Sequence, residues 1–329
     1  MNLKAYIKRI PGINKLCTIR RFNREYSYDQ SIFINNYSHS KKTKQKIGYN
    51  MLLITHSLEK GMGSKNPRRF GVSKTKELMK QMCEYEEYGQ ADKDYAFICA
   101  INALRSYIKF YEARGWEDTD EYREVKKFLS NYSNIAEMNV GSFIVEKSVL
   151  EADSKIDYKK FLASRHSVRE FSTKKLCDED FKKAVDIARL SPSACNRQMC
   201  KTYYVKNAKK AKTVIDAAQG FGGFEKDTIN VIVVTFDTNA NYFVGERNQG
   251  WFNAGLFSMN LVNALHSLGI GTCFCQFGNT SKEEEDLKKN LGIPESERIA
   301  VIIASGYYRE KNTVLASPRK PVEDIFRIV

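Results

Sequence analysis

Two short clusters carry residue types that suit a charged, planar ligand. The first runs Ser164-Arg165-His166-Ser167-Val168-Arg169-Glu170-Phe171, with two guanidiniums, an imidazole and a hydroxyl inside five residues. Such a group can grip a phosphate or the polar edge of a ring, because each arginine offers a rigid fork of donors and Ser and His add one apiece. The second runs Ser191-Pro192-Ser193-Ala194-Cys195-Asn196-Arg197-Gln198, a turn of small and amide residues that lets backbone approach a flat ligand edge. Either cluster alone would serve as an ordinary solvated turn. One amphipathic helix pattern, Asp178 to Leu190, separates them, and the pair is more restrictive than its parts.

Further pieces follow in the same half of the chain. They are Gly250-Trp251-Phe252-Asn253-Ala254-Gly255, then Leu268-Gly269-Ile270-Gly271-Thr272-Cys273-Phe274-Cys275-Gln276, then Leu291-Gly292-Ile293-Pro294-Glu295. Gly306-Tyr307-Tyr308 and Pro318-Arg319-Lys320-Pro321-Val322-Glu323 close the series. Taken in this order, residues 158 to 329 resemble the FMN-dependent nitroreductase family. The resemblance implies an α+β, nitroreductase-like FMN-binding fold, a mixed sheet flanked by helices and dimeric, here preceded by an all-α region.

It also implies roles. Arg165, His166, Ser167 and Arg169 match the motif that holds the phosphate and ribityl chain. Pro192, Ser193 and Asn196 match the motif that packs on the flavin from the partner subunit of a homodimer with shared sites. Asn253 falls where the family places an amide near the ring. Cys275 and Gln276 lie where backbone runs along the ring and a main-chain N–H meets its reactive nitrogen. Arg319 matches the basic residue that closes on the phosphate, whereas Ser317 stands where many members carry a second basic residue. Arg309 is a further candidate, with an exposed loop arginine as the alternative. The flavin carries the chemistry, so no residue is expected as acid, base or nucleophile. NADH or NADPH is the expected reductant, and a small conjugated molecule, nitro compound or quinone, the acceptor in a two-electron ping-pong cycle. The alternative is an assembly module that binds flavin weakly or not at all.

The elements that must position these residues are readable from periodicity. Amphipathic helices are expected over 49–62, 73–88, 93–114, 119–132, 250–268 and 281–291. Strands are expected over 201–206, 230–236, 271–276 and 298–305. No β alternation precedes about residue 140, so residues 1–150 form a helical extension and 151–329 the FMN-binding domain, with 133–157 as the junction. Short helices joined by polar stretches are expected before residue 48, where Ile7, Ile10, Ile13 and Leu16 are interrupted by Pro11-Gly12.

Composition narrows the class. With 42% hydrophobic and 28% charged residues, the 329-residue chain reads as a globular protein long enough to bury a core. The N-terminus is too charged for a secretory leader and no apolar run approaches a membrane span, so a cytoplasmic location is expected, with a peripheral place at the membrane as the variant. The eight cysteines include no Cys-x-x-Cys pair, and His39, His56, His166 and His266 are scattered, which argues against zinc and iron–sulfur sites. Cys273 and Cys275 are expected on opposite faces of a strand and therefore not as a redox pair.

The net charge of +14 sits mainly in residues 1–50, which hold 11 Lys/Arg against 2 Asp/Glu. Basic and aromatic residues there, such as Arg20, Arg21, Arg24, Phe22, Tyr26 and Tyr28, suit three roles: contact with an anionic membrane surface or nucleic acid, a lid over the flavin pocket, or a solvated arm on the dimer surface. No nucleic-acid-binding motif occurs, so none is expected as a partner.

Overall fold

The computed structural model describes residues 13–37, 42–64, 67–153, 156–218, 220–222, 224–315 and 317–329. The expectations for Ile7, Ile10, Pro11-Gly12 and the start of the basic run at Ser38 to Lys41 lie outside these residues.

The N-terminal half is helical. Helix α1 (Ile13–Asn36) is followed by α2 (Lys44–Met62), α3 (Val72–Glu86), α4 (Tyr95–Glu112) and α5 (Asp120–Leu129). Thr43 caps α2 by accepting from the Lys46 N–H, and Thr119 caps α5 by accepting from the Tyr122 N–H, each satisfying an orphan donor of the first turn. Apolar residues at helical spacing, including Met51, Leu58, Leu78, Met82, Leu104 and Tyr107, converge into one core drawn only from this half. Tyr107 and Tyr111 donate their hydroxyls to the Phe70 carbonyl at 2.6 and 2.9 Å, which pins the turn between α2 and α3. Gly71 completes that turn with φ of 87°, a left-handed conformation that disfavours a side chain. The last residues of this half are tied down by Arg105, which donates to the carbonyls of Tyr132 and Ile135.

Two short helices, α6 (Lys147–Asp153) and α7 (Tyr158–Ser164), lead into the second half. There α8 (Asp178–Ala188), α9 (Ala208–Ala217), α10 (Gln249–Ser267) and α11 (Ser281–Leu291) surround four strands: β1 (Cys200–Val205), β2 (Asn230–Asp237), β3 (Ile270–Cys275) and β4 (Glu297–Tyr307). Their order is β1-β2-β4-β3 and every strand pairing is antiparallel. The sheet is thus antiparallel where a mixed one was expected, and an isolated parallel bridge between Ser167 and Thr272 lies outside its strands.

Strand β2 is buried along its whole length, which explains its apolar run from Val231 to Val234. Its alternation divides the core into two layers: Val231 and Val233 pack with Val214 of α9 and Leu287 of α11, while Ile232 and Val234 pack with Phe181 of α8 and Leu261 of α10. The architecture is therefore α+β with a helical region ahead of it. No helix among the described residues is long and apolar enough to cross a membrane.

The expected helices and strands are present, most within two residues of their ends. The differences are that α2 starts already at Lys44, that α6, α7 and α9 were not expected, and that α1 is a single 24-residue helix where short pieces were expected. Tertiary contacts hold it: Glu25 accepts from the Ser281 N–H at 2.7 Å and Asp29 pairs with Arg298 at 2.7 Å. The halves also meet where Tyr49 donates to Asp237 at 3.3 Å and Gln198 donates to the Tyr95 hydroxyl at 2.9 Å.

Candidate functional site

After α7 ends, residues 165–171 run beside the start of β3. The Val168 N–H donates to the Thr272 carbonyl at 2.9 Å, and Val168 and Phe171 are buried. Phe171 lies over Gly306 so closely that a Cβ there would stand 2.6 Å from the phenylalanine Cβ. This anchoring leaves Arg165, Ser167 and Arg169 half-buried, lining a cleft of about 390 Å³ with His166, Ser317 and Arg319. The structure thus brings together five of the expected residues, one of them from far along the chain.

The cleft is electrostatically one-sided. No carboxylate lines it, and Arg165, Arg169 and Arg319 have no ion-pair partner among the described residues. Glu170, the nearest acid in sequence, turns away to Arg309 at 3.1 Å. Arg309 also pairs with Glu225 and donates to the Phe171 carbonyl at 3.0 Å, so this arginine serves the scaffold. Arg319 donates to the Ser317 carbonyl, and Ser317 itself holds a positive φ of 41°. His266 is nearby, with its ring between Ser164 (2.8 Å) and Tyr308 (2.7 Å); burial, then the charge of Arg165, lowers its pKa and favours the neutral ring. Three unpaired guanidiniums in one cleft have the donor set that a phosphate requires.

The arginines also reach the strand beneath. Cys273 and Cys275 lie on the same face of β3, as a period of two requires, and both are buried; the expectation of opposite faces is corrected. The neighbouring Cys275 thiol, helped by Arg169, Ser167 and Arg165, holds Cys273 below the usual thiol value despite its burial. Cys275 is pushed up.

The second cluster follows α8. Cys195, Asn196 and Gln198 have φ of 51°, 51° and 50°, three left-handed residues among four, none of them glycine. Such residues cost on the order of 1–3 kcal/mol each and persist only where the surroundings dictate them. Arg197 is what dictates them. Its side chain is fully buried and forms a two-pronged pair with Glu246, at 2.8 and 2.6 Å, while donating to the carbonyls of Ala194 (3.0 Å) and Ala240. Glu246 also accepts from the Tyr242 N–H at 2.7 Å, and Ser193 accepts from the Gln198 N–H at 2.9 Å. Asn260 steadies the start of the loop by donating to Ser191 at 2.8 Å. Sequence reasoning missed Arg197, Glu246 and Asn260. For Asn260 the one available signal was its spacing of two helical turns from Asn253 on α10.

Pro192, Ser193 and Asn253 share a small pocket of about 120 Å³ with Gln198 and Phe257, and Asn196 projects to solvent outside it. Asn253 is buried on α10. Its Oδ1 accepts from Gln249 at 3.0 Å, while its Nδ2 is a buried donor without a partner among the described residues. An unpaired buried donor is costly, so this amide is suited to an acceptor supplied by a ligand.

Cys275 ends β3, Gln276 follows it, and neither lines either cleft. Gly220 packs on them so tightly that a Cβ would stand 2.6 Å from the Gln276 nitrogen and 2.7 Å from the Cys275 Cα. Backbone atoms cannot swing aside, so Gly220→Ala is expected to cost about 1–3 kcal/mol and to displace this backbone. Thermal melting with a parallel flavin titration checks both effects.

Comparison with known proteins gives this geometry a context. Residues 162–307 match the nitroreductase family. They form a nitroreductase-family domain. A protein of Archaeoglobus fulgidus provisionally named NADH dehydrogenase/NAD(P)H nitroreductase is 26% identical over 153 residues, 46% of this chain and 86% of its own. A protein of Methanothermobacter thermautotrophicus with the same provisional name is 25% identical over 157 residues, 48% of this chain and 80% of its own. Among solved structures, a provisionally named nitroreductase of Desulfovibrio desulfuricans in complex with FMN aligns with 53% of this chain and 96% of its own at 19% identity, with a TM-score of 0.45. The nitroreductase-family match begins at the end of α7, after the helical region; it takes in Arg165, His166, Ser167, Arg169 and the whole 120 Å³ pocket, while Ser317 and Arg319 reach the first cleft from beyond its end.

Proposed function

We propose that the protein is an FMN-dependent oxidoreductase that takes electrons from NADH or NADPH and delivers them two at a time to a nitro compound, a quinone or another conjugated acceptor. The observation that carries this reading is the cleft of Arg165, Arg169 and Arg319, three guanidiniums without a carboxylate, in the domain of a family whose solved members include an FMN complex. Bound FMN would supply the redox chemistry itself, hydride acceptance from a nicotinamide and reduction of the second substrate.

The chain's own residues hold and orient. Arg165 and Arg169, with Arg319, would neutralise and fork onto the phosphate, and His166 and Ser167 would add donors along the sugar chain. The Asn253 amide would donate to a ring oxygen, and the rigid 193–198 loop would exclude water from the ring edge. Gln276 would act through its main-chain N–H. The helical region, residues 1–150, and the flavin domain, residues 151–329, are read as separate units joined by the contacts of Tyr49 and Gln198.

A homodimer with shared sites fits the same picture. The two half-sites line separate clefts in one protomer. Large apolar side chains stand exposed at Phe252 of α10 and at Ile325, Phe326 and Ile328 of the C-terminal tail, where a second copy could cover them. The N-terminal arm has support as a membrane-surface contact: Leu16, Ile19, Phe22 and Tyr26 are exposed along α1 beside Arg20, Arg21 and Arg24. Co-sedimentation with vesicles containing anionic lipid, absent with neutral ones, is the expected result; equal partition into both would remove that role.

The purified protein is expected to be yellow and to bleach under nitrogen when NADH or NADPH is added. Recovery of the colour on adding a nitroaromatic or quinone, with parallel double-reciprocal plots, is the expected kinetic pattern. A colourless protein that takes up no FMN at micromolar concentration would overturn the reading. It would favour the assembly-module alternative, for which Ser317, uncharged inside the phosphate cleft, is the one specific observation.

A further inference from the structure

One cavity belongs to neither cleft of the flavin site. It lies between α1 and the domain, has a volume of about 650 Å³, and falls within the range of small-molecule pockets. One wall is Tyr26 and Phe33 of α1; the other is Phe236 at the end of β2 and Trp251 at the start of α10. Phe236 and Trp251 meet edge to face with ring centroids 4.8 Å apart, and Trp251 keeps 41% of its surface exposed. Aromatic walls of this kind favour a flat, conjugated ligand, because rings pack in offset or edge contacts at little entropic cost.

The polar groups select the rest of the ligand. Asp29 and Arg298 both line the cavity but pair with each other at 2.7 Å, and Arg298 also grips Glu284 behind it at 2.9 Å, so these charges are committed. Arg247 lines the cavity, is exposed, and has no partner among the described residues. Asn241 is 2% exposed and its Oδ1 is buried without a hydrogen-bond partner among the described residues. A buried acceptor left open costs on the order of 1–3 kcal/mol, and a ligand donor would remove that cost.

We propose that this cavity is a second ligand site, built for a planar aromatic carboxylate that also carries a hydrogen-bond donor. Its carboxylate meets Arg247, its donor meets the Asn241 amide, and its ring lies between the aromatic residues of α1 and the Phe236–Trp251 pair. Because α1 supplies one wall, the site exists only where the helical extension folds onto the nitroreductase-family domain. The proposal does not depend on the flavin reading, since none of these residues lines the cleft of Arg165, Arg169 and Arg319.

The test is calorimetric titration of the full chain, in the presence of saturating FMN, with 6-hydroxy-2-naphthoate and, separately, with 2-naphthol. The expected result is one naphthoate site per chain, with 2-naphthol bound at least about tenfold more weakly for want of the charge-assisted bond. Arg247→Ala is expected to weaken the naphthoate roughly tenfold or more and to leave 2-naphthol unchanged. Val244→Trp fills the cavity from a position that is 66% exposed, and should abolish binding without lowering the melting temperature. Three outcomes would overturn the proposal: no binding up to millimolar ligand, equal affinity for naphthoate and naphthol, or naphthoate binding that survives both substitutions.

Discussion

Replacing Arg197 by alanine is expected to cost about 3–5 kcal/mol of stability, the usual result of leaving one partner of a buried pair uncompensated. Arg197 and Glu246 are both buried, joined by bonds of 2.8 and 2.6 Å, and the arginine also serves two carbonyls. Glu246→Gln keeps the shape and a neutral hydrogen bond, so its cost should be smaller; equal costs for the two would mean that packing, not charge, carries the effect. The pH dependence separates the cases further. Burial raises the Glu246 pKa, but the bonds from Arg197 and from the Tyr242 and Phe243 N–H groups outweigh it and hold the carboxyl below its usual value. A lowered folded-state pKa gives stability that is present above the unfolded value of about 4.3 and is lost as pH falls through the folded one. The gap between wild type and Arg197→Ala is therefore expected to be full at neutral pH and to narrow in acid, as pH falls below the unfolded value of about 4.3 and on through the lowered folded pKa of Glu246. Denaturant titrations at pH 7 and pH 3.5 measure it. A loss under about 1 kcal/mol at pH 7, typical of an exposed pair, would show that the pair does not hold the loop. Flavin affinity should fall together with stability, because Cys195, Asn196 and Gln198 lose the constraint that keeps them left-handed.

Arg165→Ala with Arg169→Ala is expected to remove most FMN affinity while sparing the fold. Hydrogen bonds to charged groups contribute about 1.5–3 kcal/mol each, so each substitution should weaken binding roughly 10- to 100-fold and the pair more. Both side chains are only half-buried and have no ion-pair partner among the described residues, so the melting temperature should change little. Arg169→Lys keeps the charge but loses the fork, and an intermediate affinity is expected. Quenching of flavin fluorescence on binding provides the readout. Unchanged affinity in the double variant would place the phosphate elsewhere and remove the main support for the proposed function. Raised salt should weaken wild-type binding more than that of the double variant, since only the former retains the charge attraction.

Much of this was legible before any coordinates. The apolar periods of α2 to α5, α8, α10 and α11 and of the four strands are properties of neighbouring residues, and the structure has all of them. The order of motifs from Arg165 to Arg319 led to the family that residues 162–307 match. Legibility ended where partners are distant in sequence. Helix α1 carries too weak an apolar pattern to show its length, and becomes one helix through Glu25 with Ser281 and Asp29 with Arg298, pairings over 250 residues apart. Arg197 looks like one more polar residue in a turn; only the fold brings Glu246 to it and buries both. The Cys273–Cys275 reading failed for a local reason, a misapplied strand period.

What the sequence by itself determined is the α+β class, the element pattern and the short motifs, because each depends on contacts within a few residues. What only the tertiary structure decided is which charges remain unpaired. Arg309 is neutralised by Glu170 and Glu225 while Arg165, Arg169 and Arg319 are left open. The cavity between α1 and Trp251 was decided there too. Charge pairing and cavity shape depend on where remote segments meet, and no local pattern encodes that meeting.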